Sequence, residues 1–309
     1  MSGLMAVFWK ELADRFSGWR FIIMFLLIYA AGIFALLIAS QNVRGEVTET
    51  SKFVFLRLFA ISGGGFGSFI SFMSLLMPII GIIVGFDAVN SERASGNLSR
   101  LLSQPLYRDS VINGKFLAGL ITMSVLILSI VAVIAGMGLR MIGVPPTAEE
   151  VLRLFAFIFL SIVYGAFWMS LAVLFSVLFR EVTTSALASL GLWLFLVLFL
   201  LFNIAGFIAG IMIPVDQNSA LALIIRNLET GTMINRLSPI FLYQEAVQML
   251  LLPTTMTGFG VLPVEFFFPL SFEQTLLLIW PQIVSLIALA AICFAISYIK
   301  FMREEIRST

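Results

Sequence analysis

Residues 86–115 read FDAVNSERASGNLSRLLSQPLYRDSVINGK and lie between two long apolar runs. Only 11% of the residues in this chain are charged, yet four of its 18 Lys and Arg fall here. They are Arg93, Arg100, Arg108 and Lys115. Basic residues between membrane spans collect in the loops on the cytoplasmic side. We therefore expect this stretch to face water at the basic surface of a membrane protein.

The middle of this stretch predicts a short amphipathic helix outside the bilayer. Ser91 can cap its start, and Glu92 then lies near the positive end of the helix dipole. Three leucines fall at helical spacing on one face, namely Leu98, Leu101 and Leu102. Pro105 ends the helix. Such a leucine face indicates a docking partner, whereas the alternative is a solvated loop with a single helical turn.

Composition places the chain in a membrane. Hydrophobic residues make up 61% of the 309, and several uncharged runs reach the roughly 20 residues that a spanning helix needs. A transmembrane barrel would show alternating segments of about ten residues, and these runs do not alternate. The sequence therefore predicts an all-α polytopic membrane protein, with a single transmembrane domain over residues 1–309.

Residue types exclude several chemistries. The chain contains no His and a single Cys, Cys293. This excludes disulfides within one chain, Cys or His zinc sites and His-dependent hydrolases. A phosphate loop ending in Gly-Lys-Ser/Thr is also missing from the sequence, so we expect the chain not to be an ATPase itself. Charged residues from Lys10 to Arg20 precede the first apolar run, so we expect no cleavable signal peptide.

Six apolar runs predict six transmembrane helices. Their bounds are 21–39, 66–86, 116–139, 154–179, 184–213 and 275–299. Residues 1–20 precede the first span, and within them 5–16 have the periodicity of an amphipathic helix in the membrane interface. The apolar positions of that helix are Val7, Phe8, Leu12 and Phe16. The alternative for this segment is a polar tail with chance periodicity.

Residues 214–274 are the longest connection between predicted spans, and we expect them to lie outside the cell. Ser238 and Pro239 can open a helix there, as its cap and its first residue. Its apolar side is Ile240, Tyr243, Val247, Leu250 and Leu251, and its polar side is Gln244, Glu245 and Gln248. This pattern predicts interfacial or re-entrant helices rather than a soluble domain. Residues 259–270 are expected to lie against lipid headgroups or to line an exit surface.

The distribution of basic residues orients the chain. Residues 1–20, 90–115, 180–183 and 300–309 hold 11 Lys and Arg in 60 residues, whereas 40–68, 140–153 and 214–274 hold 7 in 104. The denser face is expected to be cytoplasmic, which places both termini inside a multi-pass protein of the cell membrane. The outer connections hold nine Asp and Glu, which argues against nucleic acid as a partner on that side.

The predicted spans carry few ionisable residues. Asp87 lies at the end of the second span, and Asn203 is the most polar residue deep in the fifth. Ion-coupled carriers and channels usually keep charged groups within the membrane, so we expect the driving energy to come from another protein. Small residues four positions apart could allow close helix contacts at two places: Gly81 with Gly85, and Gly206 with Gly210.

The order of residues in 86–115 resembles the signature of the permease subunits of type-2 ABC exporters. The matching positions are Glu92, Arg93, Gly96, Leu98, Leu101, Leu102, Pro105, Arg108, Gly114 and Lys115. Many members have Thr after the Gly, where this chain has Asn97. Lys10, Glu11 and Leu12 are similar to the family's N-terminal elbow helix. Within the family, the stretch is most similar to the permeases of the copper-maturation system of nitrous oxide reductase and their relatives.

The resemblance implies that residues 87–115 hold a coupling helix, which docks in a cleft of a separate ATPase subunit. Residues 176–187, SVLFREVTTSAL, match a second, smaller contact that includes Arg180 and Glu181. It also implies a homodimer with two ATPase subunits, which bind the ATP and Mg, so that this chain would bind no cofactor or metal. The dimer seam and substrate path would involve the second and fifth spans, here with Gly81, Gly85, Asn203, Gly206 and Gly210.

Three functions remain open. A permease subunit would couple ATP hydrolysis to export, or would transmit force to an outer partner protein through residues 237–252. An ion-coupled secondary carrier or channel would work without an ATPase. An intramembrane enzyme would need a Ser-Lys or Asp pair within a predicted span, and the sequence contains none. An apolar seam would suit a lipid-like or hydrophobic peptide cargo, and a drug or antibiotic fits equally.

Overall fold

The computed structural model describes residues 3–46, 53–60, 68–95, 107–143, 145–215, 220–252 and 270–303. Every regular element within these residues is a helix, and they contain no strand. This confirms the all-α fold class.

The helices of the described residues are numbered here in chain order. They are α1 (Gly3–Ser17), α2 (Trp19–Glu46), α3 (Val54–Ala60), α4 (Phe69–Gly85), α5 (Asn90–Ala94), α6 (Arg108–Ile142), α7 (Ala148–Leu178), α8 (Val182–Leu201), α9 (Ile204–Met212), α10 (Leu221–Asn235), α11 (Pro239–Leu251) and α12 (Phe272–Arg303).

Six stretches of the described residues are long and apolar enough to cross a membrane. They are Trp19–Ala39, Phe69–Ala94, Arg108–Met141, Ala148–Leu178, Val182–Leu201 and Phe272–Arg303. Each corresponds to one predicted span, so the prediction of six candidate spans is confirmed.

The third spanning helix begins earlier than its hydrophobicity suggests. α6 starts at Arg108, directly after Tyr107, and its first two turns are residues 108–115. The sequence placed these residues in the connection before the span, because they are polar. A polar first turn is nevertheless compatible with a helix that extends beyond the bilayer, and Asp109 there favours the positive end of the helix dipole.

The fourth spanning helix, α7, lies at the centre of the core, where its Trp168 is fully buried. The second spanning helix approaches it closely because Gly81 and Gly85 lack side chains. A Cβ at Gly81 would lie 2.8 Å from the carbonyl oxygen of Gly165, and one at Gly85 would lie 2.7 Å from that of Met169. α7 of the same chain therefore covers these two glycines, and their predicted place at a dimer seam stays a prediction.

The fifth predicted span, 184–213, is not one continuous helix. α8 ends at Leu201, and α9 begins at Ile204. Between them Asn203 adopts a φ of 47°, in the left-handed region that asparagine tolerates better than most residues. Its side chain lies over Gly206, where an added Cβ would come within 2.8 Å of the Asn203 Cγ atom. Asn203 therefore lies at the break between two helices and not inside one continuous helix.

The helix predicted after Ser238 is present, but its start differs from the prediction. Pro239 occupies the first turn of α11, as expected. The Ser238 hydroxyl does not cap the helix, and it is buried without a hydrogen-bond partner among the described residues. Residues 253–269 lie outside the described residues, and with them all but the last residue of the predicted surface at 259–270.

α11 is enclosed in the main core and does not lie on the surface as an interfacial helix would. The ring of Tyr243 stacks on that of Tyr164 in α7, with centroids 4.2 Å apart. Of the expected polar side, Glu245 is enclosed as well, since it is 2% exposed and pairs with Arg236 at 2.7 Å, whereas Gln244 and Gln248 are partly exposed. α11 therefore packs within the bundle, whereas α10 exposes Leu221 and Met233, each at 66%. The predicted re-entrant or interfacial placement stays a prediction.

Candidate functional site

One end of the bundle contains all five of the predicted ATPase contacts that the structure describes. This end, called the basic end below, comprises α1, the segment 86–95, the start of α6 and the connection between α7 and α8. The small helix α5 begins after Val89, which makes no side-chain cap. Ser91, predicted as the cap, lies inside the helix and donates a hydrogen bond to the Asp87 carbonyl oxygen at 2.6 Å. The predicted cap is wrong because the turn after α4 starts the helix earlier.

Hydrogen bonds join the end of α4 to the α7–α8 connection. The Ser176 hydroxyl oxygen accepts from the backbone N–H of Val89 at 2.9 Å and from that of Asn90 at 3.2 Å. The Asn90 side-chain amide donates to the Glu181 carbonyl oxygen at 3.4 Å, and the Ser185 hydroxyl donates to that of Phe86 at 2.8 Å. The two segments predicted as separate contacts therefore form one hydrogen-bonded unit at this end.

A buried lysine joins this unit to α1. Lys115 in α6 lies 2.9 Å from a Glu11 carboxylate oxygen and 2.8 Å from one of Glu92, and its side chain is 8% exposed. α1 approaches α6 closely at the neighbouring Gly114, where an added Cβ would lie 2.9 Å from a methyl carbon of Val7. Lys115 thus connects α1, α5 and α6 through two ion pairs.

The charges of this cluster shift the pKa of Glu11. Burial raises the pKa, but the charge of Lys115 and its hydrogen bond lower it, and Arg15 and Lys10 lower it further. The net pKa of Glu11 lies below its ordinary value of 4.5. The carboxylate is therefore held in its charged form, which keeps the ion pair with Lys115 at neutral pH.

A small hydrophobic cluster lies beneath these charges, separate from the main core. Its buried members are Val7, Val89, Val111, Ile112, Val177 and Phe301. They come from α1, the α4–α5 turn, α6, α7 and α12. Displacing the segment 86–95 would expose part of this cluster, so the segment is coupled to the helices by packing as well as by hydrogen bonds.

The structure places only some of the predicted ATPase contacts. Glu92 and Arg93 lie on α5, and Arg108 is the first residue of α6. Arg180 and Glu181 lie between α7 and α8, where Arg180 is exposed. Five further predicted positions lie outside the described residues: Gly96, Leu98, Leu101, Leu102 and Pro105.

The sequence analysis missed the residues that hold this end together. Asn90 and Ser176 lie within the two segments that resemble the family's contacts, but no sequence signal shows that they meet. The Lys115–Glu11 pair could have been predicted, because Glu11 precedes the first predicted span and Lys115 precedes the third, on the same expected side of the membrane. Their 104-residue separation left the contact to be found in three dimensions.

The predicted residues of the fifth span lie elsewhere. Asn203 and Gly206 line a cavity of about 210 Å³ together with Asn227 and Asn235 of α10. Gly210 faces open space, since an added Cβ would meet no other atom within 4 Å. Among the described residues, no group of three or more His, Cys, Asp and Glu could hold a metal ion.

The chain belongs to the ABC-2 family of transporter proteins, whose model matches residues 5–306. It is 34% identical over 142 residues to a protein named probable ABC transporter permease protein NosY from Pseudomonas aeruginosa. A protein with the same name from Stutzerimonas stutzeri is 30% identical over 138 residues. The alignments cover 45% and 42% of this chain, and 50% and 48% of the relatives. The chain thus spans about half the length of the curated relatives that it matches.

Proposed function

We propose that this chain is the membrane-spanning permease subunit of an ABC transporter, which couples ATP hydrolysis by a separate ATPase subunit to export or to force on an outer partner. The observation that carries this proposal is the hydrogen-bonded unit at the basic end. A push on the segment after α4 reaches α7 and α8 through Ser176 and Asn90, and reaches α1 and α6 through Lys115. Such a unit is suited to receive force from a docked protein.

The permease works as a homodimer, with its basic end in the cytoplasm and each copy bound to one ATPase subunit, which holds the ATP and Mg. The density of Lys and Arg supports this orientation. The outer side of α8 exposes large apolar residues such as Leu187 and Phe195, at 65% and 60%. Lipid tails or a second copy would cover this side.

The proposal is tested by purifying the tagged chain from gently solubilised native membranes and identifying bound proteins by mass spectrometry. We expect an ABC ATPase subunit with the wild type. Leu101→Asp is expected to lose it, because a charge on the predicted leucine face opposes burial in a protein cleft.

The matched control is Leu237→Asp, since Leu237 is 81% exposed and lies in the outer connection. It is expected to retain the ATPase. If the wild type purifies without an ATPase in every mild detergent, the permease assignment fails, and uptake driven by an ion gradient in vesicles would then test the carrier alternative. If both variants retain the ATPase, the leucine face is not the docking site.

A further inference from the structure

A cavity of about 460 Å³ opens at the basic end, between α1 and the ends of α2, α4 and α6. Four basic and four acidic side chains line it, so its formal net charge is zero. Sites for neutral small molecules are mostly apolar and have only a few polar groups, whereas eight charged side chains line this cavity. The lining therefore suits an occupant that carries both a positive and a negative group.

The cavity lies at the level of a membrane surface. It is enclosed by one end of three spanning helices, and Trp19 at its rim is 80% exposed, as is common for tryptophan among lipid headgroups. The next turns of α2 expose Ile22, Ile23 and Leu26, at 44%, 54% and 62%. An occupant whose polar part fills the cavity could thus place a hydrocarbon chain along α2.

Two charged side chains at this cavity each have one atom without a hydrogen-bond partner: Arg15 has a donor without an acceptor, and Glu92 has an acceptor without a donor. The Arg15 guanidinium donates one hydrogen bond to the Val84 carbonyl oxygen at 3.0 Å, while its buried Nε has no acceptor among the described residues. One Glu92 carboxylate oxygen binds Lys115, while its buried Oε2 has no donor among them. Buried polar groups are nearly always hydrogen-bonded, so an unsatisfied donor and an unsatisfied acceptor in one site call for explanation.

The electrostatics of Arg15 agree with a missing anion. Burial lowers the pKa of its guanidinium, and the nearby Arg20 charge lowers it further, although Glu11 and Asp87 oppose this. Arg20 itself is paired with Asp87, and Lys115 with Glu11 and Glu92. No ion pair of Arg15 is found in the part of the chain that the structure describes. An anionic oxygen next to Arg15 would therefore offset the cost of its burial.

We propose that this cavity binds the headgroup of a phosphoethanolamine lipid. The phosphate oxygens would accept hydrogen bonds from Arg15, and the primary ammonium would donate to Glu92. A phosphocholine headgroup carries the same charges but has no N–H to donate, and a phosphoglycerol headgroup has no cation for Glu92. The site should therefore select phosphoethanolamine over both.

This inference does not depend on the proposed function. It requires only that α2, α4 and α6 cross a membrane, and it holds whether or not an ATPase docks at this end. Loss of the ATPase in the purification described above would consequently leave it standing. The bound lipid would fix α1 to the spans at a point where protein contacts alone leave a cavity.

The test uses the full chain purified in mild detergent, with native mass spectrometry to count bound lipids. Dioleoyl lipids with ethanolamine, choline and glycerol headgroups are added at equal concentration. We expect about one ethanolamine lipid per chain, bound about tenfold more tightly than the choline lipid. Arg15→Gln should lose this binding, whereas Arg226→Gln, at an exposed arginine of α10, should retain it.

A further variant separates the two halves of the headgroup. Glu92→Gln should still bind phospholipid but should no longer distinguish ethanolamine from choline, because the carboxylate that receives the ammonium is lost. Equal binding of the three lipids to the wild type would overturn the proposal, and this comparison needs no variant. Retention of ethanolamine selectivity in Arg15→Gln would overturn it as well.

A competition experiment with a soluble ligand distinguishes a lipid from a free metabolite. Phosphoethanolamine without acyl chains has the same charged groups. We expect it to displace the bound lipid only at concentrations at least about a hundredfold higher, because it gains nothing from the apolar side of α2. If it competes at equal concentration, the cavity serves a soluble phosphate ester and the lipid assignment is wrong.

Discussion

Buried cations lie at both ends of the bundle, and their surroundings differ. At the end opposite to the basic end, Arg153 is fully buried and donates to the carbonyl oxygens of Leu250 and Leu270 as well as to the Thr275 hydroxyl. Its remaining bonds go to Glu149, one turn earlier on α7. Each nitrogen of this guanidinium donates to at least one protein oxygen, so Arg153 joins α7, α11 and the start of α12.

Lys115 at the basic end has a different environment. Both of its partners are carboxylates, and all three side chains line the 460 Å³ cavity. Its ammonium is a point charge without the planar geometry of a guanidinium, so it can exchange one carboxylate for another at low cost. The comparison shows that the cation at the opposite end is held mainly by neutral oxygens from several elements, whereas the cation at the basic end is held by two carboxylates.

The largest effect is expected from Arg153→Met. This substitution leaves the Leu250 and Leu270 carbonyl oxygens without their donor, and at about 1 to 3 kcal/mol for each unsatisfied buried group we expect a loss of about 2 to 5 kcal/mol. Glu149 adds little to this loss, because its side chain is 38% exposed and water can solvate it. The free energy of unfolding, measured by reversible unfolding in mixed micelles, should fall by that amount.

The control for Arg153 is Arg226→Met, at an exposed position on α10. We expect a change within about 0.5 kcal/mol for it, as for most surface substitutions. Equal effects of the two variants would show that Arg153 does not hold the opposite end together, and the contrast between the ends would disappear.

Lys115→Met is expected to have an intermediate effect on stability and a larger effect on the ATP-dependent change in distance between two copies. Glu11 and Glu92 lose their shared partner, but Lys10 remains 3.6 Å from Glu11, so we expect a loss of about 1 to 3 kcal/mol. A spin label at Leu237→Cys, in a chain with Cys293→Ser, would report the distance between two copies. ATP should change this distance in the wild-type complex and should no longer do so in Lys115→Met.

Lys10→Met is the matched control for Lys115, because Lys10 contacts the same Glu11 oxygen at 3.6 Å but is 54% exposed. Exposed ion pairs contribute at most about 1 kcal/mol. The ATP-dependent distance change should survive in this variant. If the distance change is lost in both lysine variants, any loss of positive charge at this end disrupts it, and the buried ion pairs of Lys115 are not specifically required.

The smallest effect concerns pH. Because the folded pKa of Glu11 lies below its ordinary value of 4.5, its ion pair contributes stability that is fully present above that pH. This contribution should disappear as the pH falls through the lowered pKa. The difference in unfolding free energy between the wild type and Glu11→Gln should therefore be constant at pH 6 to 7 and shrink toward pH 3.

Asp14→Asn serves as the comparison for Glu11, since the Asp14 side chain is 64% exposed and its contact with Lys10 spans 3.7 Å. Its effect on stability should be small at every pH. If the Glu11→Gln difference does not change with pH, the carboxylate does not stabilise the basic end through its charge.

The helices were largely predictable because hydrophobicity and length alone define a candidate span. Each of the six apolar runs contains a helix long enough to cross a membrane, and the helix after Ser238 starts at the expected proline. Predictions of detail failed where a single residue decides the local geometry. Asn203 breaks the fifth span by adopting a left-handed conformation, and the hydroxyls of Ser91 and Ser238 make no cap.

The candidate site was predictable only in part. Charge patterning marked the segment of Glu92, and the family resemblance marked that of Glu181, but the bonds that unite these segments come from Ser176 and Asn90. Polar residues of this kind are common in any sequence. Their role depends on the residues opposite them, which are 86 to 91 positions away along the chain.

By itself, the sequence determined that the chain is an all-helical membrane protein with six apolar spans, because the transfer free energy of each segment depends on that segment alone. The sequence also determined where Lys and Arg are concentrated, since they can be counted loop by loop. The tertiary structure decided which contacts each residue makes. Gly81 and Gly85 serve α7 of the same chain, α11 is enclosed in the core, and Lys115 meets two carboxylates. Packing and ion pairing depend on pairs of distant residues, and only the folded chain defines those pairs.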